Sequence, residues 1–441
     1  RVYDLVAQHK PDLLITLDCG ITNKTECSVL KQRYPALKIV MIDHHQMPDI
    51  WPEADLIVNP KRLSSTHLYY DLCTVGIVQQ FFKAVLATLG YAYDLDQHLD
   101  MVALGTIADI AQLSPYNRHL VRAGLSVARK GARVGLQALT TAAKIDLPRL
   151  STRDIGFGIA PLLNAAGRLS NASICVQLLT TRDADTATAL AVRLTQLNRD
   201  RRSLTTAIMT DAHAYLEANP SLCDSPVLVL MGRNWHAGVI GIVAARITDY
   251  YHRPSIVIGY DDTGGRGSAR SIPSINIYDL IKANSTHLSR FGGHHQAAGF
   301  SLAIPALEPF QDAIIQHARQ AVSSACLQPT LRIDAVLTAE QISYAFWESL
   351  TALSPFGSGN PEPVFMAELR VIEARLVGNG SHIKATFSDD AFTLRLDGIG
   401  FGLGDKLALF NQNRCYIAFN LHTNTWQNKT RLQLNILDVK A

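Results

Sequence analysis

Residues 38–45, Lys38-Ile39-Val40-Met41-Ile42-Asp43-His44-His45, decide the fold. A short apolar run ends directly in an acid and two imidazoles, a composition that packing does not explain. Side chains at the carboxyl ends of parallel strands face the crevice in which α/β folds bind their ligands. Upstream, Leu13-Leu14-Ile15-Thr16-Leu17 stops in the same way at Asp18-Cys19-Gly20. About one βα unit separates the two, so parallel neighbours would bring Asp18 to the histidine pair. A third acid, Asp109, closes the otherwise apolar stretch 101–108. A lone acid at a strand end is usually a turn or capping residue. Two consecutive histidines and two further acids shift the balance toward a metal site. Carboxylates and imidazoles without thiolates suit manganese or magnesium better than structural zinc.

The pattern therefore predicts phosphate chemistry. In that reading Asp18, His44 and Asp109 are metal ligands, with Asp18 able to bridge two ions. Asp43 and His45 are the catalytic pair, His45 being free to meet the scissile phosphate.

At 441 residues the chain exceeds one hydrophobic core, and two to four domains are expected. No run approaches the roughly 20 apolar residues of a membrane span, and no signal-peptide pattern opens the chain. The seven cysteines are scattered without a Cys-x-x-Cys pair, which speaks against thiolate zinc and for a reducing compartment, so the cytoplasm is expected. The net charge of +3 is unevenly spread: residues 111–210 carry 14 Lys/Arg against 5 Asp/Glu. Beside a metal site, such a belt fits a polyanionic substrate.

Strands are expected at 12–17, 38–43 and 55–58, and helices near 22–33, 74–89, 97–110, 117–129 and 134–143. Residues 183–218 contain neither Pro nor Gly and carry Leu190, Leu194, Leu197, Leu204 and Ile208 at helical spacing. They read as a connector helix with basic residues at its middle (Asn198-Arg199-Asp200-Arg201-Arg202). A second α/β unit opens at Val227–Met231. From residue 330 onward short strand-like segments dominate, at 331–337, 364–375, 382–388, 392–400, 415–422 and 430–439, and suggest an OB-fold barrel. The predicted class is α/β: a parallel-sheet domain over residues 1–180, the connector over 181–220, a second α/β domain over 221–326 and the barrel over 327–441.

Gly264-Gly265-Arg266-Gly267-Ser268-Ala269-Arg270-Ser271 reads either as a phosphate-holding loop or as a surface hairpin. Gly292-Gly293-His294-His295 either approaches a ligand closely or lets a helix pack on a strand. Arg168 either binds a phosphate or caps a helix end. His236 precedes a helix start and could face a groove. Phe387, Phe392, Tyr416 and Trp426 are base-stacking candidates or barrel core. No G-x-x-x-x-G-K-[ST] is present, so no ATP-driven motor is expected.

These stretches, in order, resemble the DHH phosphoesterases, and within them the RecJ-type single-strand-specific exonucleases. The resemblance rests on Leu14–Ile21, Asp43-His44-His45, Leu104–Asp109, Leu163–Leu169, Trp235–Gly241, Gly267–Ser271, Phe291–His294 with Ala297–Gly299, and Pro355–Pro361. It implies a DHH catalytic domain, a DHHA1-type nucleic-acid-binding domain and an OB-fold. It also implies a two-metal Mn2+ or Mg2+ centre, and substrate contacts from Asn164, Arg168, His236, Arg270, Ser271 and His294. The implied activity is 5′-to-3′ hydrolysis of single-stranded DNA to mononucleotides in recombination and repair. A single-strand-binding protein and a RecQ-type helicase are the implied protein partners, and a monomer is expected.

The family's first motif, Asp-x-Asp-Gly, would lie before Arg1. Without it the metal shell is expected to be incomplete and cleavage weak. Two rivals remain open. One is a phosphodiesterase of the same superfamily acting on short oligonucleotides or cyclic dinucleotides. The other is a non-catalytic single-stranded-DNA-binding protein.

Overall fold

The computed structural model describes residues 2–427 and 429–440. The chain forms two compact units. One holds residues 1–132, 146–157 and 331–441; the other holds 133–145 and 158–330.

In the first unit, β1 (Leu13–Leu17), β2 (Lys38–Ile42) and β3 (Leu56–Val58) form a parallel sheet in that order. Period-two alternation gives β2 two buried faces. Ile39 and Met41 pack with Val6, Cys27 and Leu30, while Ile42 packs with Leu72, Ile77, Leu99 and Val102 on the other side. Helices Thr74–Leu89, Leu99–Ala108 and Pro115–Arg129 supply that second layer. β1 lies at the open edge of the sheet, where Leu13, Ile15 and Leu17 are exposed.

The second unit is organised along helix Ala184–Ala218, whose Asp183 side chain caps the Thr186 amide. Its buried stripe runs through Ala187, Ala191, Leu194, Leu197, Thr205, Ile208, Ala212 and Leu216. The mixed sheet of this unit contains β4 (Leu228–Arg233), β5 (Ser255–Asp261), β6 (Gly264–Arg270), β7 (Arg290–His294) and β8 (Ala297–Leu302), ordered β4-β5-β6-β8-β7. The stretch 264–270 is therefore neither loop nor free hairpin tip but a strand paired on both sides, with β5 and with β8. Its glycines answer to packing. A Cβ on Gly267 would lie 2.1 Å from the Phe300 ring, and one on Gly265 would lie 2.9 Å from Leu302. The Gly292-Gly293-His294 stretch is likewise a strand, hairpinned to β8.

The remainder of the first unit is a barrel, with β9 (Ala335–Val336), β10 (Phe365–Val377), β11 (His382–Ser388), β12 (Leu396–Gly400), β13 (Arg414–Trp426) and β14 (Lys429–Lys440). Pairing of β11 with β10 closes the ring β10-β11-β12-β14-β13, and β9 adds to its rim. Phe365, Phe387, Phe410 and Phe419 fill its interior. Of the aromatic stacking candidates, Phe387 is core, Phe392 and Tyr416 are exposed, and the Trp426 side chain lies outside the described residues. Among the described residues no helix is long and apolar enough to cross a membrane.

Candidate metal centre and phosphate-binding face

Parallel pairing sets Leu17 opposite Ile42, so the residues after each strand emerge side by side. The Asp18 amide donates to the Ile42 carbonyl (3.0 Å) and Asp18 takes a left-handed backbone (φ 63°), which turns its carboxylate toward β2. Asp109 is the C-cap of helix Leu99–Ala108. The chain reverses there in a Schellman turn: Ile110 N–H donates to Ile107 C=O and Ala111 N–H to Thr106 C=O. The left-handed position that usually belongs to glycine is held by Ile110 (φ 56°), at a cost of about 1–2 kcal/mol.

These turns bring three ligand candidates together. His44 Nε2 lies 3.4 Å from Asp18 Oδ1 and 3.4 Å from Asp109 Oδ2. That is long for hydrogen bonds. Each distance taken singly matches a pair of donors on one ion, because ligands about 2.1 Å from a cation lie about 3.0–3.4 Å apart. Among the described residues the group whose ligand atoms all lie within 4.8 Å of one another is Asp18, His44 and His45, and Asp109 adjoins it through His44. Burial raises the Asp109 carboxyl pKa and Asp18 adds to the rise, outweighing the opposing pull of His44 and His45. Burial also raises the pKa of the neighbouring Cys19 thiol, with Asp43 and Asp18 adding to it. The donor set thus fits a hard, oxygen- and nitrogen-bound divalent cation.

Asp43 sits beneath the pair, 1% exposed. Its Oδ1 accepts from the His44 amide (2.8 Å), the His45 amide (3.2 Å) and the His45 ring at Nδ1 (2.6 Å), while Oδ2 accepts from the Ile21 amide (3.3 Å). Burial raises its pKa, but the bonds from His45 and Ile21 outweigh burial and the net shift is downward. With Nδ1 engaged, His45 presents Nε2 outward. Sequence reasoning missed Thr74, whose hydroxyl donates to Asp18 Oδ1 at 2.8 Å.

In the second unit the strand register decides which side chains share a face. Arg270 pairs with Ala297, which pairs with His294. The two side chains therefore stand in one row, about 10 Å apart across two strand spacings. Ser268 and Arg266 continue that face along β6. Gly292 and Gly299 lie in the row of Ser268 on the same face, and a Cβ on Gly292 would meet nothing within 4 Å.

Arg168, on helix Ala160–Leu169, donates Nη1 to Gly238 C=O (3.0 Å), beside the turn in which His236 Nδ1 accepts the Gly238 amide. A Cβ on Gly241, in the first turn of helix Ile240–Tyr251, would lie 2.9 Å from Ser268 Oγ and 3.3 Å from Arg270 Nη2. Arg168, His236, Ser268 and Arg270 thus meet at that helix's amino end, a place that favours anions.

Burial depresses the Arg168, Arg201 and Arg270 pKa values, and mutual repulsion adds to it for Arg201 (from Arg168, Arg202 and Arg246) and Arg270 (from Arg168). Among the described residues none of these five arginines pairs with a carboxylate. Arg201 Nε and Asn198 Oδ1 are buried without a partner. Both interrupt the apolar stripe of the long helix at core spacing, the sequence signal that could have found them. The Ser271 hydroxyl donates to Ile275 C=O (2.8 Å), and the hydroxyl bonded by Arg270 is that of Ser268. Asn164 and His294 are exposed.

Three family models match in order: the DHH family N-terminal domain over residues 1–106, the DHHA1 domain over 224–320 and the RecJ OB domain over 333–438. The chain is 32% identical to the single-stranded-DNA-specific exonuclease RecJ of Bacillus subtilis, over 97% of this chain and 53% of that protein. It is 32% identical to that of Haemophilus influenzae, over 98% of this chain and 78% of that one. The crystal structure of RecJ in complex with Mn2+ from Thermus thermophilus superposes with a TM-score of 0.85 at 29% identity, covering 99% of this chain and 63% of that one. The chain thus spans about half of the Bacillus protein and under two thirds of the Thermus one. With its three domains in family order and 78% of the Haemophilus relative covered, the chain belongs to the RecJ branch of the DHH family.

Proposed function

We propose that this protein hydrolyses single-stranded DNA from one end in a manganese- or magnesium-dependent reaction. The observation that carries the reading is the convergence of Asp18 and Asp109 on the His44 imidazole. Asp18 and His44, with Asp109 beside them, would hold a divalent ion, which would supply Lewis acidity toward the phosphodiester. His45, oriented through Nδ1 by Asp43, offers Nε2 to the scissile phosphate as a hydrogen-bond partner. Asp43 acts through His45 and the turn rather than on substrate, since its carboxylate is buried and fully engaged.

The arginines of the second unit, with Ser268, Asn198 and His294, are the groups that hold backbone phosphates. His236 adjoins them through Gly238, and Asn164 is the further expected contact on the helix that carries Arg168. Phosphate contacts of this kind fix the strand without reading its sequence. The barrel supplies an additional platform for unpaired bases.

The functional division is 1–180 catalytic, 181–220 connector, 221–326 nucleic-acid-binding and 327–441 OB. By kinship, the reaction runs 5′ to 3′ and releases mononucleotides in a cytoplasmic repair pathway. A single-strand-binding protein and a RecQ-type helicase are its proposed partners.

The test compares two variants on a labelled single strand. Asp18→Ala should cut turnover to less than about 1% of wild type, beyond the roughly 10–100-fold typical of outer-shell losses, while DNA affinity persists. Arg270→Ala should raise KM for all sequences alike and lower the salt slope of binding by about one. An active Asp18→Ala protein would refute the metal assignment. The small-substrate rival is decided by comparing strands of about 5 and about 40 nucleotides, since the barrel platform rewards the longer one.

A further inference from the structure

The segment 352–361 contains the Pro355-Phe356-Gly357-Ser358-Gly359-Asn360-Pro361 stretch and lies between helix Tyr344–Thr351 and the barrel. Among the described residues its hydrogen bonds reach none of Asp18, His44 and Asp109. Its hydrogen bonding is nevertheless one-sided. Every second carbonyl, those of Ala352, Ser354, Phe356 and Ser358, accepts from the catalytic part of the same unit. Arg118 and Arg122 donate to the first two, the Thr152 hydroxyl to the third (2.9 Å) and the Leu113 amide to the fourth (2.6 Å).

The loop is closed on itself by Asn360. Its Nδ2 donates to the carbonyls of Leu353 (3.0 Å) and Pro355 (2.9 Å), and its backbone exchanges both bonds with Gly357. A Cβ on Gly359 (φ 73°) would lie 3.2 Å from Gln112 Cβ and 3.4 Å from the Leu113 nitrogen.

What this loop grips is the segment leaving Asp109. Ile110 holds a left-handed backbone disfavoured for a β-branched residue, and its side chain is 74% exposed, so packing does not hold it there. Such a conformation persists only when its surroundings over-determine it. The Schellman bonds fix it from the helix side. From the other side Leu113 is tied to Ser358, and the Gln112 carbonyl is tied to the buried Asn117 amide (2.8 Å).

We propose that the loop 352–361 is a positioning device for Asp109: it clamps residues 112–113 and thereby holds the C-cap carboxylate where it meets His44. The proposal rests on the metal reading of Asp18, His44 and Asp109. The loop residues are positioning residues and touch no substrate.

The test measures manganese affinity of the purified protein by electron paramagnetic resonance, alongside kcat, KM and thermal unfolding. The proteins compared are wild type, Asn360→Ala, Gly359→Ala and Asp109→Ala. Both loop variants should lose on the order of tenfold in manganese affinity and in kcat, with KM for DNA unchanged. Thr152→Val, which removes only the hydroxyl anchoring Phe356, serves in place of a variant that fails to fold. Wild-type manganese affinity in the loop variants, with Asp109→Ala weakened, overturns the positioning role alone. Manganese binding indifferent to Asp109→Ala overturns the metal reading and this proposal together.

Discussion

Replacing Thr74 by Val removes one hydroxyl and keeps the shape of the side chain. The hydroxyl sits at the start of helix Thr74–Leu89, 7% exposed, and donates to Asp18 Oδ1 at 2.8 Å. That oxygen is also the one 3.4 Å from His44 Nε2, so the bond fixes the carboxylate rotamer that faces the imidazole. A hydrogen bond to a charged acceptor contributes about 1.5–3 kcal/mol. At about 1.4 kcal/mol per decade, full coupling would weaken ion binding by roughly 10- to 100-fold. The Asp18 side chain is 58% exposed, however, and water replaces part of the lost bond. The lower figure, about tenfold, is therefore expected. A manganese titration by electron paramagnetic resonance reads the effect directly, with unfolding temperature as control. Thr74→Ser, which keeps the donor, should restore wild-type affinity. Equal affinity in wild type and Thr74→Val, or equal loss in Thr74→Ser, would refute the reasoning.

Two further outcomes concern stability. Asp43→Asn leaves one acceptor for four donors and aims an NH2 group at another N–H, so it should cost about 3 kcal/mol in urea denaturation, and wild-type stability would show that the carboxylate is no hub. In the barrel, the Thr393 hydroxyl and the Leu394 amide hold the Asp389 carboxyl down at about 2, below its ordinary 3.8. A depressed carboxyl stabilises the fold above its unfolded value, and that contribution is lost as pH falls from about 4 through about 2. Asp389→Asn should therefore weaken the barrel at neutral pH and flatten its acid dependence in that window; a variant with the wild-type acid profile would disprove it.

Several readings were accessible from residue order because they depend on local chemistry. Apolar runs ending in Asp18 and in Asp43-His44-His45 are strand signatures followed by ligands. Parallel pairing of neighbours then brings them together with little freedom. The connector helix was legible as well, since an unbroken Pro- and Gly-free amphipathic stretch has few alternatives. The glycine-rich 264–270 was not. Its composition favours a loop, but the ring of Phe300 and the side chain of Leu302 occupy the space that Cβ atoms would need. Tertiary packing, not propensity, makes it a strand. The strand also sets Ser268, two residues before Arg270, on the same face as that arginine.

The sequence by itself determined the chemistry: which acids and imidazoles exist, and that they follow strands. Only the tertiary structure decided their supports. Thr74 reaches Asp18 from 56 residues away, and Ser358 holds the segment behind Asp109 through a backbone carbonyl. Backbone carbonyls are the same in every residue, and contacts between distant segments leave no local period, so such supports have no signature to read until the chain is folded.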